Sequence, residues 1–271
     1  MEYRTAHARK EFDRWSWRYD WDLLQPLFFR PSHRMILEML GPADLRILDI
    51  GCGTGQFAAR ALNHLPDAQL WGIDLSGGML QRAAKRQDDF GGRLHLVCGD
   101  SQRLPFADDS FDAVTCSHSF HHYPRQDRVL CEMHRVLRPD GKLLLIDGDR
   151  DRLWGWFVFN VLVVLIEGGV KHRTGADLRQ LYRDAGFTGV RQRRRKGPLP
   201  FLLTVGRAIK AAPAAAVRCA AQNERDLETA SWTPSSTTLP FRSDPTPSVA
   251  ALLPPEGGPV SAPHFHAPRP K

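Results

Sequence analysis

Short apolar runs recur along the middle of the chain at 45–50 (LRILDI), 69–73 (QLWGI), 93–98 (RLHLVC), 112–117 (DAVTCS) and 142–147 (KLLLID). Their length and near-continuous apolar character are those of strands buried on both faces. Between them, 55–64, 77–88 and 125–137 read as helices, and 26–40 as an earlier one that Pro26 can start and Gly41-Pro42 closes. A further helix at 175–185 and strand-like pieces at 188–195 and 199–205 follow. Strands alternating with helices predict an α/β fold: a Rossmann-like, doubly wound, mostly parallel sheet with helices on both faces.

Two stretches break this rhythm. Residues 153–166, LWGWFVFNVLVVLI, carry no charge. A helix of that length rises about 21 Å, short of the ~30 Å hydrocarbon core, so no transmembrane segment is expected there. It reads as a buried helix or as a lid over an apolar pocket, while docking on a membrane surface lacks the basic, amphipathic pattern that mode needs. From 211 onward the composition shifts, and 11 of the 20 prolines lie in the last 61 residues. With few large apolar residues, that tail cannot offset its ordering entropy and is expected to be disordered. The expected organisation is an N-terminal helical cap (1–40), one α/β domain (41–210) and a Pro/Ala/Ser-rich tail (211–271).

Charge changes the picture little. Of the net +7, five positive charges fall in RQRRRK at 191–196, leaving +2 elsewhere. Charges on an edge strand discourage edge-to-edge pairing; an anionic substrate or partner is the next reading. Nucleic-acid binding fits poorly, because it calls for basic and stacking residues spread over a face. The five cysteines form no C-x-x-C pair, and MEYRTAHARKEF has no apolar core, so reduced thiols and a cytoplasmic protein are expected. Oligomeric state leaves no mark.

The chemistry starts at ILDIGCGTGQFAAR, 47–60. A strand running through Gly51, Gly53 and Gly55 into a helix brings bare N–H groups up to a ligand at the carboxyl end of the first strand. The spacing fits a dinucleotide fingerprint only loosely, and only when read from Gly53. Asp49, two residues before the first glycine, would oppose a pyrophosphate and favours a ligand carrying positive charge. Asp74 ends the second strand, where an acid can accept ribose hydroxyls. Asp100 and Ser101 follow the third strand, where they would lie beside an adenine. Ser117 and His118 end the fourth. Four successive strands deliver polar residues to one sheet edge.

These stretches, with GDSQRLPFADDSFDAV and EMHRVLRPDGKLLLID in order, resemble the class I S-adenosylmethionine-dependent methyltransferases, in the small-molecule branch that includes the ubiquinone/menaquinone C-methyltransferases. The resemblance is strongest over 45–147 and extends to FDRWSWRYD (12–20) and LYRDAGF (181–187). It implies a seven-stranded sheet with an antiparallel last strand, S-adenosylmethionine as cofactor and a small-molecule methyl acceptor. It also implies that Asp49, Gly51, Gly53 and Thr54 line the methionine end, Asp74 takes the ribose, Asp100 and Ser101 sit by the adenine, Ser117 is near the transfer site, and Tyr19 closes over the cofactor.

On the acceptor side, His118, His121 and His122 are the candidate bases, with ordinary packing and metal ligation as competing readings. The metal reading lacks a set of carboxylate partners, and no metal is expected. Asp147, after strand five, is a weak candidate to face the acceptor, with an ordinary loop acid in DGDRD as the favoured reading; Glu167 and His172 are similar weak candidates. The expected function is methyl transfer to a small, apolar or aromatic acceptor. Against it stand a second enzyme reading, a nicotinamide-dependent oxidoreductase, and, from another class, a cofactor-binding or regulatory protein without turnover.

Overall fold

The computed structural model describes residues 29–151, 155, 172–195 and 200–210, all within the compact unit Met1–Ala230. Tyr19, the 12–20 segment, Glu167, nearly all of the 153–166 stretch and the 211–271 tail lie outside the described residues. The elements are α1 (Arg30–Leu37), β1 (Arg46–Ile50), α2 (Gln56–His64), β2 (Gln69–Asp74), α3 (Gly77–Ala84), β3 (Leu94–Cys98), β4 (Phe111–Ser117), α4 (Gln126–Val136), β5 (Leu137–Gly148), α5 (Gly175–Asp184), β6 (Phe187–Arg195) and β7 (Phe201–Ala208). Single 3₁₀ turns stand at Asp88–Phe90 and Phe120–His122.

The strands form one seven-stranded sheet in the order β3-β2-β1-β4-β5-β7-β6. β1 to β5 pair in parallel, and β7 runs antiparallel between β5 and β6. The order reverses direction at β1 and β4, so the carboxyl ends of β1 and β4 flank the crevice where open α/β sheets hold ligands. Both faces are covered. Along β1, Ile47 packs with Met35, Phe57 and Ala58, whereas Leu48 packs with Val129, Leu130 and Met133 on the other face. The same alternation separates Leu144 and Ile146 from Leu143 and Leu145. Period-two side-chain direction with both faces apolar is why these strands read as unbroken apolar runs.

The sequence misplaces one boundary. The sequence reading ends a helix at 137 and begins a strand at 142, yet β5 starts at Leu137, straight out of α4. The ladder to β4 jumps from Phe111–Leu137 to Ala113–Lys142, and Asp140 takes φ 63°. The four residues bulge out of the ladder, and pairing resumes beyond them. Cys52, Cys98 and Cys116 are free thiols.

Candidate active site

The first half of the site is the loop after β1. Gly51, Gly53 and Gly55 all take positive φ (69°, 53° and 75°), which L side chains adopt at a cost. They differ in surroundings. A Cβ on Gly51 would fall 2.4 Å from Ser119 Oγ and 2.8 Å from the Tyr123 hydroxyl, whereas one on Gly53 would meet nothing within 4 Å. Gly51 is packed from behind, whereas no described residue packs against Gly53. The loop hangs on β2: the N–H groups of Gly51 and Cys52 donate to the Ile73 carbonyl (2.8 and 3.1 Å).

Asp74 completes that suspension. Its carboxylate accepts from the Gly53 N–H (2.9 Å) and the Ser76 N–H (2.9 Å). A carboxylate offers about four acceptor sites, so a diol could bind without displacing either bond. Asp100 accepts from the Gln102 backbone (2.9 Å) on the loop after β3, with Ser101 between them. The Gly99 N–H donates to the Asp74 carbonyl (3.0 Å), holding the two acidic loops together.

Asp49 stands near the end of β1, just before the loop. Only 2% exposed, it lies beneath the loop, where Thr115 of β4 donates to it across the sheet (2.8 Å). Burial pushes its carboxyl up to about 7; the Thr115 bond opposes that shift and the neighbouring Asp74 adds to it. Thr54 is buried too. At the end of β4, Ser117 has a buried hydroxyl that meets no hydrogen-bond partner.

The second half is built from the histidines. His118 leaves β4 in a left-handed conformation (φ 54°) and lies edge-on to Phe201 (4.9 Å) and Phe29 (5.9 Å). Buried Phe120 anchors the following 3₁₀ turn. That turn brings His121 Nδ1 to 2.8 and 2.9 Å from the two oxygens of Asp147 at the end of β5. The His121 N–H also donates to Asp147 (3.2 Å), as does that of Gly148 (2.8 Å). His172 stacks on His121 (4.3 Å) with Nδ1 3.6 Å from Asp147, and His122 tilts against His121 (4.1 Å).

Electrostatics separates the three candidate bases. Burial drives His118 down to about 3, with the neighbouring His121 and His172 rings adding to the shift against Asp147. Burial pushes His122 lower still, well below the ordinary imidazole value. Burial therefore favours the neutral form of both rings. Burial opposes the charge on Asp147, yet the His121 and His172 rings hold it well below the usual carboxylate range. A charged Asp147 facing Nδ1 keeps the His121 proton there and makes Nε2 the acceptor nitrogen.

The sequence therefore undervalued Asp147 and His172, because nothing local distinguishes an acid in DGDRD from a solvated loop acid. Thr115, Ser119 and Tyr123 escaped it for the same reason: each works on a partner more than 60 positions away or around one turn. The ligand atoms of His121, Asp147 and His172 lie within 4.8 Å of one another, a set that could hold a metal ion and the carboxylate partner absent from the sequence pattern.

Residues 48–145 match the family of the methyltransferase domain. The chain is 35% identical over 153 residues to the ubiquinone/menaquinone biosynthesis C-methyltransferase of Bordetella avium, covering 52% of this chain and 60% of that protein. It is 38% identical over 107 residues to the malonyl-[acyl-carrier protein] O-methyltransferase of Methylococcus capsulatus, covering 40% and 38%. The chain thus spans less than two thirds of the length of these curated relatives. In fold it is similar to an S-adenosylmethionine-dependent methyltransferase from Thermotoga maritima, with TM-score 0.60, 24% identity, and 73% and 98% of the two chains covered.

Proposed function

We propose that this chain, whose residues 48–145 form a methyltransferase domain, is an S-adenosylmethionine-dependent methyltransferase acting on a small acceptor held against the histidine rim. The observation that carries the reading is the juxtaposition at one sheet edge of the Gly53–Asp74–Asp100 cradle and the His121–Asp147 pair. The cradle fits the cofactor on two counts: among the described residues, a Cβ at Gly53 would meet no atom within 4 Å, and the buried Ser117 hydroxyl has no hydrogen-bond partner. The fold similarity to methyltransferases supports the same reading.

S-adenosylmethionine, when bound, supplies a methyl carbon activated by its sulfonium. The chain's own part is to bind, orient and move a proton. Asp74 and Asp100 offer carboxylate oxygens for the ribose and the adenine amine. Gly51, Gly53 and Thr54 shape the methionine end, Ser117 lies by the transfer point and Ser101 by the adenine. Asp49, being buried, acts through its field: a nearby cation favours its ionised form and is favoured by it. Holding acceptor and donor aligned in a dry pocket supplies much of the acceleration. His121 takes the proton from the acceptor through Nε2, and Asp147 stabilises the imidazolium that results. His118 and His122 serve as neutral walls.

Calorimetric titration with S-adenosylhomocysteine, with NADH as control, tests the class. Binding of the former alone is expected; binding of NADH alone refutes it. The metal reading of His121, Asp147 and His172 is the second one, carried by their 4.8 Å clustering. The dyad is favoured because Asp147 already accepts from His121 and Gly148. Turnover insensitive to prolonged EDTA dialysis supports the dyad; loss restored by one divalent cation supports the metal. No helix among the described residues is long and apolar enough to cross a membrane.

A further inference from the structure

Ser119 stands at the start of the 3₁₀ turn Phe120–His122, the position at which a serine hydroxyl ordinarily accepts from the N–H groups of the turn that follows. It makes no such bond here. Its Oγ donates instead to the carbonyl of Ile50, the last residue of β1, at 3.1 Å. The Tyr123 hydroxyl lies 2.9 Å from the same oxygen and Cys116 Sγ 3.2 Å from it. A hydroxyl has one proton and two lone pairs. With its proton on Ile50, Ser119 accepts from both Tyr123 and Cys116. Burial supports that direction by favouring the protonated form of each donor, pushing the Cys116 thiol up to about 12 and the Tyr123 phenol above its ordinary value. Every bonding position of the hydroxyl is thus in use.

The residue belongs to both halves of the site. The β1–β4 ladder ends with Ile50 against Cys116, and the Ser119 hydroxyl carries the tie one step further, into the loops. On the cradle side the next residue is Gly51, and Ser119 fills the space its missing side chain leaves: a Cβ there would lie 2.4 Å from Ser119 Oγ and 2.5 Å from Ser119 Cβ. On the other side, the Ser119 carbonyl accepts from the His122 N–H (3.1 Å), within the turn that sets His121 Nδ1 against Asp147. Asp147 and Gln126 hold that turn to β5 and α4, and Ser119 supplies its tie to β1. A capping bond would serve the turn alone. The bond actually made serves the spacing between the loop assigned to the methionine end and the ring assigned to the proton, where a misplacement of about 1 Å can cost about 10²-fold.

We infer that Ser119 is a positioning residue: through Ile50 and Gly51 it sets the spacing between the cofactor loop and the His121 turn, so that occupancy of the loop is transmitted to the ring. The inference rests on the methyl-transfer reading for the cofactor and the base. Its test uses the whole chain, S-adenosylhomocysteine as the probe and histidine rings labelled for NMR, with the His121 signals identified by their loss in His121→Asn. In the parent protein, saturation with the probe is expected to shift the His121 signals. Ser119→Ala should still bind the probe by calorimetry, roughly three- to tenfold more weakly, the scale of one neutral hydrogen bond. At saturation it should lose most of the His121 shift. Ser119→Cys, which puts a weak donor in place of the hydroxyl, is the second variant if Ser119→Ala does not fold. Tyr123→Phe keeps the bond to Ile50 and should keep the shift. A serine that only stabilises the fold would lower the melting temperature on replacement and leave the shift intact. That result, a parent without a shift, or an equal loss in Tyr123→Phe overturns the inference while the methyl-transfer reading stands. Failure of S-adenosylhomocysteine to bind the parent is a different result: it strikes the methyl-transfer reading itself, and the inference falls with it.

Discussion

The two halves of the site are built by opposite means. The cradle on β1, β2 and β3 is assembled by local segments: each acid or glycine follows its own strand, and backbone N–H groups tie Gly51, Cys52 and Gly99 to β2. The histidine half draws on Phe29, His118, His121, Asp147, His172 and Phe201, which come from five separate segments. In the cradle, burial makes an acid reluctant to ionise; in the histidine half, burial keeps His118 and His122 neutral while Asp147 stays charged. The difference separates two tasks. A cationic ligand can draw out the charge on Asp49, whereas proton transfer needs one ring with a fixed tautomer among neutral neighbours.

The largest expected effect should isolate the histidine half. His121→Asn should lower turnover by roughly 10²–10⁴-fold, the range for a general base, with S-adenosylhomocysteine affinity unchanged by calorimetry. Normal turnover would remove His121 from the mechanism, and lost affinity would mean that the halves are not separable. Next comes the packing of the loop. Gly51→Ala adds a methyl 2.4 Å from Ser119 Oγ on top of a positive φ, and strain and overpacking each cost about 1–3 kcal/mol. Thermal melting should show it clearly less stable than Gly53→Ala, whose methyl meets no protein atom within 4 Å. Gly53→Ala should instead weaken cofactor binding, because the methyl enters the space assigned to the ligand.

Asp74→Ala removes both the proposed ribose acceptor and the bonds to Gly53 and Ser76. Stranding buried partners costs ~1–3 kcal/mol, so S-adenosylhomocysteine should bind at least tenfold more weakly. Unchanged affinity in the folded variant would empty the cradle of its assigned role.

The smallest effect is in pH. Asp49 is raised in the folded protein, to about 7, so its contribution to stability is complete below about pH 4 and is lost as pH rises through 7. His118 and His122 are lowered, so their contribution is present above about pH 6.5 and is lost as pH falls toward 3. The two halves therefore oppose each other across the acid range. Asp49→Asn, which still offers Thr115 an acceptor, should raise the melting temperature at pH 8 more than at pH 5. It should also flatten a rise in S-adenosylmethionine affinity between pH 6 and 8. His118→Gln should flatten the acid side of the melting profile. Melting curves of the three proteins at matched ionic strength decide this, and parallel pH profiles would discard the electrostatic contrast.

The chain's own pattern determined the sheet and the cradle. Strand runs, glycine spacing and an acid after each strand are periodic or adjacent features, and the local backbone that they dictate is what they describe. Even there, the bond from Thr115 to Asp49 comes only from the β1–β4 ladder, which joins residues 66 positions apart. Asp147 looked like a solvated loop acid until the pairing of β4 with β5, and the 3₁₀ turn anchored by Phe120, placed it against His121. The arginines of β6 read as edge protection, and only the packing of α1 brings Arg30 and Arg34 to the cleft that Arg193, Arg194 and Arg195 line. Composition and spacing carry what is decided within a turn or a strand. Burial, tautomer and the gathering of like charges depend on which remote segments the sheet order makes neighbours, and only the folded chain sets that.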